Sequence, residues 1–355
     1  MDPPGQWGSI PGAYPWIGAA NPVRCRRSAT GARAGLRPGP AAAGPAPGWV
    51  RVVAVAELDV ITERSDPAVQ RIIDVTKHSR SVVRTVLIED AEPLAQAIHA
   101  GLEFIEVYGV QTSPLADEVI TACRREGIPV RLVAAPIMND LFRTDKKPKA
   151  FGIARVPRPW SFDELSRTTG DLVVLDGVKI VGNIGAIVRT SFALGAGGIV
   201  LVDSDLTTIA DRRLIRASRG YVFSLPIVLA SRAEATGYFR RTGIPLIAFD
   251  ADGDLAVSDL RDADEQLALL LGSEKTGTSR SFESISRHSV SIPIDPAAES
   301  LNVSVCAGIA LYERYHWNLA DRRRPPQPAA PAQQQPAKRR TRRPASSSGG
   351  PGRRR

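Results

Sequence analysis

Leu172-Val-Val-Leu-Asp-Gly-Val-Lys-Ile-Val-Gly-Asn-Ile-Gly-Ala-Ile-Val-Arg-Thr-Ser191 passes from an unbroken apolar run, through a glycine-bearing turn, into helical spacing. A strand with one wet face would alternate apolar and polar residues. The run 172–175 does not, so it predicts a strand buried on both faces, as in a parallel sheet with helices on each side. A helix is expected over 184–194, with Gly182 and Gly185 letting the backbone approach a ligand closely. The alternation continues, with strands expected at 198–202, 226–229, 245–249, 267–271 and 290–294. Helices are expected at 209–218, 233–242, 281–286 and 301–319. The fold class is therefore α/β, with a mainly parallel sheet.

Two more segments mark strand ends: Gly272-Ser-Glu-Lys-Thr-Gly277, and Ile292-Pro-Ile294 followed by Glu299-Ser-Leu-Asn-Val-Ser304. In open α/β sheets ligands bind outside the carboxyl ends of the strands. Arg189 is a candidate for chemistry because it interrupts an apolar helix; the competing reading is a side chain that runs out to solvent. Glu274, just past a buried strand, needs a partner. Arg189 is the expected one, and a cap on the following turn is the alternative. Ser300 reads as the N-cap of the last helix. Asn302, two residues on, is then not needed for capping. A dinucleotide site is disfavoured, because Gly-Asn-Ile-Gly-Ala-Ile lacks the Gly-x-Gly-x-x-Gly spacing.

Upstream, helices are expected at 67–77, 92–100, 113–125 and 136–142, with Ser113-Pro114 as cap and first-turn proline. Strands are expected at 85–89, 104–108, 129–133 and 151–155. This is a second, smaller α/β unit, joined through Pro157-Arg-Pro159. The boundaries expected are 1–55, 56–156, 160–321 and 322–355. Residues 1–55 read as a disordered extension, or as an untranslated stretch with the true start near Val53 to Ala56. Residues 322–355 read as a disordered basic tail.

The net charge of +9 sits in those ends: 322–355 hold 11 Arg or Lys with no acid, and 1–50 hold five Arg with one Asp, which leaves 51–321 at −6. Global charge is thus no argument for nucleic-acid binding, and local clusters must carry it. Those clusters are Arg80 with Arg84, then Arg143, Lys146, Lys147 and Lys149, and a predicted helix face with Arg212, Arg216 and Arg219 at i, i+4 and i+7. Cys25, Cys123 and Cys306 have no metal-type or redox-type spacing, so no metal site is expected. No apolar run is long enough for a membrane span. A reducing, cytoplasmic setting follows.

The three segments resemble the motifs of the SpoU branch of the SPOUT RNA methyltransferases, which use S-adenosylmethionine to methylate a ribose 2′-hydroxyl. The resemblance implies a C-terminal SPOUT domain with a trefoil knot, preceded by a small ribosomal-protein-like α/β RNA-binding domain. It also implies a homodimer. It puts catalytic roles on Asn183, Arg189, Glu274, Ser300 and Asn302, and cofactor contacts on Arg189, Arg219, Phe249, Gly272, Ile292 and Leu301. Thr276 departs from the glycine common there in the family, which predicts a local change of loop geometry. Val174 to Thr190, Ile209-Ala-Asp-Arg-Arg213, Arg216 to Pro226, Phe151 to Pro159 and Ser65 to Thr76 are similar to the thiostrepton-resistance group of that family. That match spans roughly residues 57–321. It implies 2′-O-methylation of one adenosine in the GTPase-associated hairpin of 23S rRNA, giving thiopeptide resistance. A ribose methyltransferase for another rRNA or tRNA site stays open. So does an RNA-binding immunity protein without chemistry.

Overall fold

The computed structural model describes residues 58–77, 85–113, 115–142, 147–274 and 276–315. The extension 1–55, the tail 322–355 and the basic residues Arg80, Arg84, Arg143 and Lys146 lie outside the described residues, wholly or nearly so.

The first sheet is built from β1 (Val60–Ile61), β2 (Thr85–Glu89), β3 (Phe104–Val110), β4 (Val130–Val133) and β5 (Ala150–Arg155), in the order β1-β4-β3-β5-β2. It is mixed, because β5 runs antiparallel to both of its neighbours. Helices α1 (Pro67–Lys77) and α4 (Ala135–Leu141) cover one face, and α2 (Ala91–His99) and α3 (Asp117–Glu126) the other. The expected start of α3 at Ser113 is corrected: Ala116 holds the N-cap position. Leu115 explains the delay. It is buried, and its side chain fills the space above Gly109, so the chain docks this residue before it coils.

The second sheet holds β6 (Leu172–Asp176), β7 (Gly198–Val202), β8 (Ile227–Ala230), β9 (Leu246–Phe249), β10 (Leu255–Ala256), β11 (Ala268–Gly272) and β12 (His288–Ser291). Its order is β10-β12-β9-β11-β6-β7-β8, and every pairing is parallel. The two-residue period of a strand sorts its apolar residues. Val173, Leu175, Ile199, Leu201, Leu269 and Leu271 face α6 (Val181–Ala193), α7 (Arg212–Ala217) and α10 (Val303–Glu313). Their neighbours Leu172, Val174, Val200 and Leu270 face α5 (Phe162–Leu165), α8 (Arg232–Thr242) and α9 (Arg280–Glu283). Burial on both faces is why these strands lack alternation. β12 stops at Ser291, short of the expected 294, where Pro293 removes the next-but-one backbone donor.

α6 starts at Val181, so Gly182 and Asn183 lie in its first turn and not in a turn before it. Gly185 does serve close approach, but to protein: a Cβ there would lie 2.4 Å from Ala217 Cβ. α7 begins at Arg212 because Asp211 caps it, accepting from the Arg213 and Leu214 amides.

One buried ion pair ties the ends of this layer. Arg314, just past α10, is fully buried. Its Nε donates to Asp171 Oδ2 at 2.8 Å and its Nη2 to Asp171 Oδ1 at 3.2 Å. The carbonyls of Leu260, Ala263 and Glu265 take the remaining donors, and Asp171 Oδ1 also accepts from the Leu267 amide. Removing one partner strands a buried charge, at a cost of about 3–5 kcal/mol. Arg314→Met should therefore lower unfolding free energy by about that amount in urea titration, and the double change with Asp171→Leu should recover most of it. A single-variant loss within about 0.5 kcal/mol of zero, the range of ordinary surface changes, would refute this role.

Candidate active site

The carboxyl ends of β6, β11 and β12 carry the three sequence motifs. Glu274, two residues past β11, accepts from Asn183 Nδ2 at 2.8 Å through Oε1. Asn183 Oδ1 in turn accepts from Asn302 Nδ2 at 3.3 Å. Asn302 Oδ1 accepts from the Ser304 amide at 2.8 Å and from Ser304 Oγ at 2.6 Å. A hydrogen-bonded chain Glu274–Asn183–Asn302 thus joins the three motifs. Two expectations are corrected by it. The partner of Glu274 is Asn183, not Arg189, because the early start of α6 brings Asn183 onto its first turn beside the loop. The N-cap of α10 is Asn302, not Ser300.

Arg189 is half-buried on α6. Among the described residues its guanidinium has no hydrogen bond or ion pair. α6 packs on α10, where a Cβ at Gly308 would sit in ordinary contact, 3.8 Å from Thr190 Cγ2.

The loop after β11 closes on itself. Ser273 and Gly277 exchange backbone hydrogen bonds of 3.1 and 2.9 Å, and Ser273 Oγ lies 2.7 Å from Thr276 Oγ1. Gly277 has φ of +63°, a conformation natural to glycine. A Cβ at Gly272 would fall 2.2 Å from the Gly277 carbonyl carbon, so Gly272 is required by its own loop.

One cavity borders this loop, and another lies at the ends of β9 and β12. A smaller one, about 150 Å3, lies among Phe249, Val290, Ile292, Ser300, Leu301 and Cys306. It gathers three of the expected cofactor residues, Phe249, Ile292 and Leu301, together with Ser300. Burial raises the Cys306 thiol pKa there. The larger cavity, about 710 Å3, is lined by Asp176, Ile180, Asn183, Asp203, Arg232 and Glu274, among others. Sequence reasoning missed Asp176, Asp203 and Arg232. Asp176 is buried; its Oδ1 accepts from Arg232 Nε and Nη2 at 3.1 and 2.8 Å, and its Oδ2 from the Ser279 amide at 2.8 Å. The hydrogen bonds to Asp176 hold the Arg232 guanidinium above its ordinary pKa. The available signal was a carboxylate placed directly at the end of an apolar run.

The basic residues fall in several places. Arg219 lies beyond α7 with φ of +51°, so it does not share a helix face with Arg212 and Arg216. It pairs with Glu92 at 3.0 Å, and Arg212 pairs with Glu89 at 2.8 Å. Both glutamates belong to the first sheet's unit. Gln96 Nε2 donates to Ser224 Oγ at 2.8 Å across the same junction. These arginines fasten the two units. Arg216, Lys147 and Lys149 are exposed, and Lys147 bonds Asn139.

Two family models match this chain. One is described as thiostrepton-resistance methylase, N terminus, over residues 58–168, and the other as the SpoU rRNA Methylase family, over 171–312. The chain is 64% identical over 269 residues to a 23S rRNA (adenosine(1067)-2′-O)-methyltransferase of Streptomyces laurentii, covering 76% of this chain and all of that one. It is 61% identical over the same length to its namesake from Streptomyces azureus, with the same coverage. Among solved structures, an AdoMet-bound rRNA methyltransferase from Sinorhizobium meliloti superposes with a TM-score of 0.59 at 27% identity, over 73% of this chain and 98% of that one. The SpoU methyltransferase AviRb from Streptomyces viridochromogenes gives 0.58 at 25% identity, over 71% and 98%.

The two functions of the Asn302 side chain separate by substitution. Asn302→Ala removes the cap and should lower unfolding free energy by about 1 kcal/mol. Asn302→Asp keeps an acceptor at a helix N-terminus and should match or exceed the wild type in urea titration. An equal loss in both variants would mean that the link to Asn183, not the cap, holds the helix start.

Proposed function

The chain belongs to the SpoU rRNA methylase family, and from that premise we propose that it methylates the ribose 2′-hydroxyl of one adenosine in 23S rRNA, giving thiostrepton resistance. The observation that carries this is the Glu274–Asn183–Asn302 chain set beside an apolar cleft, in a protein 64% identical to an adenosine(1067)-2′-O-methyltransferase.

The cleft suits the proposed cofactor, S-adenosylmethionine. Phe249, Val290, Ile292 and Leu301 offer apolar surface to an adenine ring. When bound, the cofactor supplies an electrophilic methyl group. A ribose hydroxyl is a weak nucleophile at neutral pH, so the chain's task is positioning and charge stabilisation. Asn183 and Glu274 orient the acceptor ribose. Arg189 stabilises the alkoxide as it develops. A guanidinium does not surrender its proton near neutrality, so it acts as a clamp and a phosphate or water takes the proton. Ser300 and Leu301 border the cofactor.

The same reading covers assembly. Val305 and Tyr312, seven residues apart on one face of α10, are 47% and 64% exposed. An apolar face of this kind supports a homodimer in which each site is completed by the partner. The non-sequential order β12-β9-β11 accommodates the C-terminal segment threaded as a trefoil knot. No described helix is long and apolar enough to cross a membrane, and the cytoplasm, where ribosomes are, is the proposed location. The first unit grips the hairpin, with Lys147 and Lys149 on phosphates, joined by Arg80, Arg84, Arg143 and Lys146, and Arg216 of the second unit adds a further phosphate contact.

Labelled cofactor with a 23S fragment containing the hairpin should give one 2′-O-methyladenosine, at position 1067 as in the Streptomyces laurentii relative. Arg189→Ala should cost roughly 10²- to 10³-fold in kcat. Arg189→Lys should remain impaired without a new ionisation in its pH profile. Near-full activity with a profile moved toward the lysine pKa would mean that this position removes the proton. Tyr312→Asp with Val305→Asp should halve the mass seen by light scattering; an unchanged mass would place the dimer contact elsewhere.

A further inference from the structure

The larger cavity sits where this sheet changes direction. From β6 the chain moves outward through α6 to β7, whereas from β11 it moves the opposite way to β12. β6 and β11 are neighbours, with Asp176 paired in register to Gly272. Connections that diverge from adjacent parallel strands open a crevice at their carboxyl ends, and ligands settle there. The cavity of about 710 Å3 occupies this crevice, within the range of roughly 300–1,000 Å3 usual for a small-molecule site. The smaller cleft proposed for the cofactor lies at β9 and β12, so the crevice remains for a second ligand.

Its polar chemistry selects that ligand. Arg232 is largely committed to carboxylates: Nε and Nη2 are bound to Asp176, and Nη1 lies 2.9 Å from Asp203 Oδ2. Lys179 pairs with Asp205 at 3.0 Å. Of the carboxylate oxygens lining the crevice, Asp203 Oδ1 and Glu274 Oε2 have no partner among the described residues. Asp203 is held in place by Arg232 and sits at a left-handed φ of +47°, a conformation that costs energy outside glycine. Val178, Ile180 and Val303 supply apolar surface, and Ile180 is 56% exposed beside the cavity. A ligand that suits these oxygens and this surface carries a flat apolar body and hydrogen-bond donors. A nucleoside with an exocyclic amine meets all of these terms.

We propose that this crevice receives the target adenosine, turned out of the hairpin loop, and that Asp203 accepts a hydrogen bond from its N6 amino group while the ribose lies toward Glu274 and Asn183. The proposal rests on the methyltransferase reading above. Extrusion of the nucleotide is the general solution when the reacting atom is enclosed in folded RNA. Asp203 is then a specificity-determining residue, separate from the residues that carry methyl transfer.

The test uses the full chain and three synthetic hairpins with adenosine, inosine or purine riboside at the target position. Inosine replaces the amino group by a carbonyl oxygen, and purine riboside deletes it. A hydrogen bond to a charged group is worth about 1.5–3 kcal/mol, so wild-type kcat/KM should fall roughly 10- to 100-fold on both analogues. Asp203→Asn tolerates the left-handed φ and offers an amide N–H that can meet the inosine oxygen. It should bring inosine within about threefold of adenosine and leave purine riboside poor. Equal wild-type rates on the three hairpins overturn the proposal without needing any variant to fold. An unchanged preference in a folded Asp203→Asn overturns it as well. Methylation of none of the hairpins would instead remove the methyltransferase reading itself, and this proposal with it.

Discussion

The Arg314–Asp171 pair holds the functional edge in place from the opposite end of the sheet. Asp171 precedes β6, and its carboxylate also binds the Leu267 amide that precedes β11. Arg314 follows α10 and binds three carbonyls of the 260–265 connection. The two central strands and the last helix therefore share one origin. α10 has 11 residues, about 16 Å at 1.5 Å per residue, so fixing its far end sets where Asn302 begins it. Burying a guanidinium and a carboxylate is costly, and it persists here because every guanidinium donor group finds an acceptor.

With those origins fixed, the chain Glu274–Asn183–Asn302 follows from short local rules. Gly272 and Gly277 close the loop that carries Glu274, the first turn of α6 presents Asn183, and the cap of α10 presents Asn302. The network satisfies a carboxylate with a neutral amide. That choice leaves the Arg189 guanidinium without a hydrogen bond or ion pair among the described residues. In the proposed reaction that guanidinium is free to meet negative charge as it develops on a substrate oxygen. Had Arg189 met Glu274, as the sequence suggested, much of that difference between resting and reacting states would be lost.

The strands were legible because burial on both faces leaves a mark that needs no tertiary knowledge: 172–175, 198–202 and 267–271 are unbroken apolar runs, and each became a central strand. Helix starts were less legible. Ser300 and Asn302 are both good caps by type, and only the position of Ser304 decides between them. Ser113 lost its role to the burial of Leu115, a contact with Gly109 that is invisible along the chain. The partner of Glu274 failed for the same reason, since it depends on where α6 begins. Arg219 read as one face with Arg212 and Arg216 because spacing presumes a helix, and α7 ends two residues too early. Asp176, Asp203 and Arg232 belong to three different segments, and nothing local announces that they meet.

Charge is divided in a way that fits a protein reading a single nucleotide. Residues 51–321 carry −6, and the excess of positive charge lies at the two ends of the chain. Phosphate attraction is long-ranged, insensitive to sequence and weakened by salt. Short-range acceptors such as Asp203 do the reverse: they add little to encounter and much to discrimination. Under the proposal above, basic groups outside the crevice hold the strand while the nucleotide is turned inward to Asp203. In that proposal the basic ends supply sequence-independent attraction to phosphate and lend no specificity. Separated in this way, binding strength can be tuned by the ends while the choice of nucleotide stays with the folded site.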